Sequence, residues 1–192
     1  NRKTLKWFGL GKLILTLAWI LALLRTIIPD FVSINIANSM IFGACCYETI
    51  AMLSLIKTRA KRQFQLQIAI TAVAILLFNI STLFDVTMNT RVIIGGIGIF
   101  AIYLLPTIIY FTEREKSFFK TFYVLCYIAF EILIVIRTIY RYLHPQNLII
   151  SNDTLDSLYS ICLFLLSLVG IVGFLLLVKE KQDNKIKKLL SD

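Results

Sequence analysis

The side chains that could do chemistry in this chain are a few ionisable groups set inside long apolar stretches: Lys12, Arg25, Glu48, Arg91, Glu131, Arg137 and Arg141. A charge at membrane depth costs about 3 kcal/mol or more, so each such group either has a partner on another segment or belongs to a functional site. Glu131 falls near the middle of its stretch, and Glu48 lies about two helical turns from the end of its own. Each is expected to be protonated or paired across helices. Lys12 lies one to two turns inside the first stretch and can snorkel to the interface.

Arg137 and Arg141 are four residues apart and so share a helical face, and Arg25 and Arg91 lie at a similar depth. Two readings fit this basic rim. Asp30, Asp85 and Asp153 could neutralise it as salt bridges, or it could form a pocket for a small anion or a lipid head group. The candidate ligand-binding residues are therefore Arg25, Arg91, Glu131, Arg137 and Arg141. Asn35, Asn38 and Asn79 are expected to hydrogen-bond between helices.

Other chemistries are excluded by what the sequence lacks. Its one histidine, His144, sits beside Pro145 in a loop, so the segment has no histidine-based metal site and no phospho-accepting histidine in a cytoplasmic position. It also has no phosphate-cradling glycine loop, no carboxylate cluster for Mg²⁺ and no nucleophile signature. Cys45, Cys46, Cys126 and Cys162 lie in apolar stretches without metal-ligand spacing and are read as packing residues. The segment carries no catalytic residue, no metal and no cofactor of its own.

The elements that must position these residues follow from composition. Of 192 residues, 58% are hydrophobic and 16% charged, and the mean hydropathy is +0.82, far from a soluble domain. Six apolar stretches, at 7–28, 31–56, 64–84, 92–112, 117–143 and 157–178, each reach the roughly 20 residues that a membrane-crossing helix needs. Basic residues collect in the tails and alternate loops: Arg2, Lys3 and Lys6; Lys57, Arg59, Lys61 and Arg62; Arg114, Lys116 and Lys120; and Lys179, Lys181, Lys185, Lys187 and Lys188. By the positive-inside rule those sides are cytoplasmic, with both visible termini inside and the other loops outside. The net charge of +9 is then a topology signal that calls for no nucleic acid. Gly95, Gly96 and Gly98 predict close approach of a neighbouring helix. Pro106 predicts a kink whose freed carbonyl a neighbour satisfies.

The last apolar stretch runs without Gly or Pro from Gly173 through Val178 into the charged residues 179–192. Val178, Ile186, Leu189 and Leu190 keep a thin apolar seam interrupted by Gln182, which predicts a membrane helix continuing as a cytoplasmic signalling helix whose transmission residues are Val178, Gln182, Ile186 and Leu189. The helix stops at Asp192 without a capping signal, and Asn1 is not an initiator Met, so we expect a larger protein. The fold class is all-α: a polytopic transmembrane bundle of six helices followed by a cytoplasmic signalling helix. Residues 1–178 form the membrane input domain and 179–192 begin a coiled-coil linker to an output domain.

Trp7-Phe8-Gly9-Leu10-Gly11, Leu24-Arg25, Ile28-Pro29-Asp30-Phe31-Val32-Ser33 and Ala37-Asn38 with Gly43 resemble the membrane regions of bacterial multi-helix sensor histidine kinases and GGDEF-type diguanylate cyclases. So do Thr90-Arg91-Val92-Ile93 and Val135-Ile136-Arg137 with Tyr140. The tail 185–192 resembles the linker leading into the dimerisation helix of such kinases or into a cyclase domain. The resemblance implies an inner-membrane homodimer in contact with lipid, with a seventh helix before Asn1 that places the N-terminus outside. It further implies a kinase domain using ATP and Mg and a response regulator as partner. A small transporter or channel is the rival from another class, built on Glu131 and Glu48; against it stand one proline at Pro106, one glycine cluster at 95–98 and no inverted-repeat symmetry. If the arginine rim binds an anion, converting both Arg137 and Arg141 to Gln abolishes the response to ligand. An unchanged response in that double variant leaves the rim a structural one.

Overall fold

In hydrocarbon, every backbone N–H and C=O must be satisfied within the protein, which leaves helices and closed barrels as spanning elements. The computed structural model describes residues 2–55, 60–84, 86–112, 117–143 and 152–191, and the elements it shows there are all helical. In chain order they are α1 (Arg2–Leu23), a 3₁₀ turn (Leu24–Thr26), a π-helical turn (Phe31–Ile36), α2 (Ala37–Leu53), α3 (Ala60–Leu83), α4 (Met88–Thr112), α5 (Phe118–Leu143) and α6 (Asn152–Ser191). Among the described residues, five helices are long and apolar enough to cross a membrane: Arg2–Thr26, Phe31–Leu53, Lys61–Leu83, Met88–Thr112 and Phe118–Leu143. The chain is a multi-pass membrane protein. The sixth expected crossing, 157–178, lies within α6, and the side chains at 157–160, 163 and 166 fall outside the described residues. Its backbone is helical throughout and continues through the charged tail as one element of 40 residues.

Helices adjacent in the chain pack side by side, with α2 at the centre against α1, α3 and α4, and α6 against α5. The central position of α2 follows from its composition, since Ala37, Ala44, Ala51, Cys45 and Cys46 give it a narrow surface that neighbours can enclose. Large side chains fill what remains: Phe42 meets Phe78 of α3 edge-on, with ring centroids 5.8 Å apart. The close approach expected at the α4 glycines is present. A Cβ on Gly98 would lie 3.0 Å from the Phe42 ring and 3.1 Å from Ala74, and one on Gly96 would collide with Thr138 of α5 at 2.5 Å.

The turn between α1 and α2 is wound unevenly. Ile27 and Ile28 both donate to the Leu24 carbonyl, and beyond Pro29 the chain re-enters as a π-helical turn that buries Ser33 and Asn35. The wide turn aims Asn35 at α3, where its amide donates to Asn79 at 3.1 Å and to Thr82. Asn79 in turn donates to Ser39 at 3.0 Å. Asn35 and Asn79 therefore join helices as expected, whereas Asn38 bonds the Ile34 carbonyl of its own helix at 2.7 Å.

Pro106 removes the N–H that the Ile102 carbonyl needs. Gln67 of α3 supplies it, donating to that carbonyl at 2.9 Å from a fully buried position. Thr107 likewise donates to the Tyr103 carbonyl at 2.9 Å. Removing the Gln67 donor should therefore matter only while the proline is present. We expect Q67L to cost about 1 kcal/mol more in the parent than in a P106A background, because alanine at that position restores the backbone donor. A double-mutant cycle by unfolding in mixed micelles measures this coupling, and strict additivity would contradict it.

Candidate functional site

Gly11 lets α1 lie directly on α2: a Cβ there would stand 3.0 Å from the Ala44 carbonyl and 3.3 Å from the Glu48 amide. The next residue, Lys12, is thereby placed beside Glu48, and the Lys12 ammonium meets the Glu48 Oε2 at 2.9 Å. Lys12 was expected to snorkel outward, but it turns into the bundle and is only 18% exposed at the side chain. The reason is physical. A carboxylate enclosed by Tyr103, Tyr127 and α6 attracts a cation more strongly than a distant interface does.

The rest of the cluster completes the shells of this pair. Tyr127 of α5 donates to the Glu48 Oε1 at 2.6 Å, and Tyr103 of α4 donates to Oε2 at 3.4 Å. Tyr123, one turn before Tyr127, shares a hydrogen bond with it at 3.0 Å. Lys12 also donates to Ser167 of α6 at 3.0 Å and lies 5.3 Å from the Phe8 ring centroid. Five helices thus meet at one charged centre. Glu48 and Tyr127 are buried, and Tyr123 is fully so.

The face that α6 turns to this centre is made of small residues. A Cβ on Gly170 would come within 4.0 Å of Glu48, and one on Gly173 would strike the Tyr123 ring at 2.8 Å. Next to them Phe174 stacks on Phe8 of α1, with ring centroids 3.9 Å apart and planes 6° from parallel. Further along, Glu180 accepts a hydrogen bond from Ser117 at the start of α5 (2.7 Å), and Lys181 donates to the Leu55 carbonyl at the end of α2 (2.7 Å). A cation at that point suits the negative end of the α2 dipole.

Glu131 stands apart from this centre. It is buried on α5 and accepts a hydrogen bond from Thr107 of α4 at 2.8 Å. The basic rim lies at the opposite end of the bundle from Lys181. Arg141 is buried and donates to Asn89 of α4 at 3.1 Å, while Arg91 donates to the Val86 carbonyl at 2.8 Å. Arg137 is half-buried and Arg25 exposed in the 3₁₀ turn. Arg25 lies in the turn after α1, which packs against α1 and the π-helical turn. Asp85 and Asp153, the expected rim partners, lie outside the described residues, and Asp30 is exposed. Among the signal-transmission residues, Val178 is buried in the core, whereas Gln182, Ile186 and Leu189 are exposed.

Sequence reasoning reached Lys12 and Glu48 singly but missed Tyr103, Tyr123, Tyr127 and Ser167. A usable signal was present. Tyr123, Tyr127 and Glu131 recur every four residues on α5, and a phenol deep in an apolar helix needs a hydrogen-bond partner. The four cysteines are free thiols, with Cys45 and Cys46 buried as packing residues. Among the described residues, no group of His, Cys, Asp or Glu could hold a metal ion. Set against family models, curated proteins and solved structures, the chain matches none of them.

Removing one member of a buried ion pair strands the other, at a cost of about 3–5 kcal/mol, whereas replacing both with apolar groups is far less damaging. K12M and E48M should each destabilise the bundle by roughly that amount, and K12M/E48M should recover most of it. Unfolding of the purified variants in detergent gives the comparison. Equal losses in all three variants would mean that the pair does not hold the helices.

Proposed function

We propose that this chain is the membrane input domain of a bacterial two-component sensor histidine kinase, and that α6 carries its signal to a cytoplasmic output domain. One observation carries the reading. A single unbroken helix is anchored in the core at Phe174, Leu177 and Val178, yet its tail presents Ile186, Leu189 and Leu190 at 55%, 70% and 82% exposure among charged residues. Apolar side chains on a helix in water call for a partner helix, and the same tail of a second copy in the same membrane is parallel to it by symmetry.

At about 1.5 Å per residue α6 is ~60 Å long, enough to cross a bilayer and extend well beyond it. Residues 1–178 would then be the sensing part and 179–192 the start of the linker. The basic residues Arg2, Lys3, Lys6, Lys61, Arg62, Lys120, Lys179 and Lys181 lie toward one end of the bundle, which supports placing that end in the cytoplasm and the protein in the inner membrane. The output domain would use ATP and Mg and act on a response regulator.

Transmission needs two arrangements of α6 that a stimulus can bias by its differential affinity. The contacts of α6 suit this. Small residues face the charged centre, where the Ser167 hydroxyl reaches Lys12, and further along Glu180 meets Ser117 and Lys181 meets the Leu55 carbonyl. The transporter reading has less support, because Glu48 is neutralised by Lys12 within a closed cluster and Glu131 borders the outer face of α5.

A single-Cys scan across 179–191, in a background without the four native cysteines, should give inter-subunit disulfides peaking at 182, 186 and 189. No inter-subunit proximity anywhere in the tail would overturn transmission through a paired helix. In the full-length protein, inserting seven residues after Val178 should preserve regulation and inserting two should lock or abolish it, because only the former restores the seam. Reading autophosphorylation against cyclic dinucleotide synthesis in these variants separates a kinase output from a cyclase output.

A further inference from the structure

The two acidic residues at membrane depth are treated differently by the fold. Glu48 has a cation and two phenols, whereas the described partner of Glu131 is one hydroxyl, Thr107, whose single proton is shared between Glu131 Oε1 at 2.8 Å and the Tyr103 carbonyl at 2.9 Å. Glu131 sits at the middle of the 26-residue α5, roughly 20 Å from either end, where water is scarcest. Next to it lies an open groove of about 210 Å³, lined by Phe100 of α4 and by Ile128, Glu131, Ile132, Val135 and Ile136 of α5. Ile132 and Ile136 are more than half exposed, so the groove opens on the outer surface of the α4–α5 pair, toward lipid rather than into the bundle. Its walls are apolar apart from the carboxyl group.

We propose that this groove is a binding site for a membrane-dissolved lipophile with one hydrogen-bond-donating headgroup, held by the Glu131 carboxyl, while its chain lies against Phe100, Ile132 and Ile136. The acceptor fits a donor because a carboxyl group in hydrocarbon gains more from a donating partner than it does in water. A saturated chain without a donor gains only apolar contact that bulk lipid offers equally well, so recognition rests on the headgroup. Two headgroups supply this chemistry, an alcohol and a protonated amine.

The site is placed to influence the charged centre. Glu131 lies one helical turn beyond Tyr127, which holds Glu48, and its neighbour Phe130 packs edge-on against Tyr103 with ring centroids 5.0 Å apart. That an occupant biases α6 rests on the proposed input function, whereas binding itself does not.

The test uses the whole chain in phospholipid nanodiscs, with hexadecanol bearing a mid-chain diazirine as the probe and mass spectrometry of the labelled peptides. Labelling should concentrate on α5 around 128–136 and on α4 around Phe100. E131L, which removes the acceptor without adding a polar group to the hydrocarbon, and V135W, which fills the groove and keeps Glu131, should each lower labelling there roughly tenfold. Thermal unfolding of both variants shows that the fold is retained. Unlabelled hexadecanol or hexadecylamine should compete, and whichever competes more strongly identifies the headgroup, while hexadecane should not compete. Labelling unaffected by V135W, or competition by hexadecane equal to that by the donors, would overturn the site. Loss of the site would leave the cross-linking result for α6 untouched, so the two proposals fail separately.

Discussion

Glu48 faces Lys12 at 2.9 Å inside an apolar bundle, and the neighbouring helices are arranged so that neither charge meets hydrocarbon. Such a pair is tolerated only when its remaining hydrogen-bonding capacity is also met. Here that requirement recruits a phenol from α4, a phenol from α5 and a hydroxyl from α6. Three elements that could slide past one another in lipid are therefore tied to the α1–α2 pair. Packing alone fixes them less well, since lipid chains compete with apolar side chains for the same surfaces.

The same demand for satisfied polar groups explains contacts away from the pair. Gln67 reaches across from α3 because Pro106 frees a carbonyl on α4. The end of α2 has its Met52 and Leu55 carbonyls met by Tyr110 and Lys181. Asn35 and Asn79 close the other end of the α2–α3 contact. Each bond is modest by itself, but in a medium without water an orphaned partner is costly, so each also specifies which helix lies next to which.

α6 differs from the other helices in how it is held. Toward the charged centre it presents Gly170, Gly173 and Ser167, while Phe174, Leu177 and Val178 anchor it in the core. Small residues at the level of the charged centre let α6 approach its neighbours closely there. The same helix continues without a break into the charged tail that carries the exposed Ile186 and Leu189.

Much of this was legible in the residues. Apolar stretches of spanning length announced the helices, basic residues distinguished the two ends, and the absence of Gly or Pro after Gly173 announced an unbroken α6, because these properties are local to the chain. Pro106 even predicted that a foreign donor was needed, though not that Gln67 would be the donor. The sequence by itself therefore determined the helices, their order and the list of polar residues that hydrocarbon would not tolerate alone. Tertiary structure alone decided the partners. Lys12 turned inward, Asn38 bonded the Ile34 carbonyl one turn back, two tyrosines met Glu48 with Tyr123 bonded behind them, and Thr107 is the described partner of Glu131 beside an open groove. Pairing depends on the rotation and depth of each helix against its neighbours, and these are set by close contacts such as Gly11 on Ala44 and Gly98 on Phe42, which join residues far apart in the chain and leave no periodic trace in it.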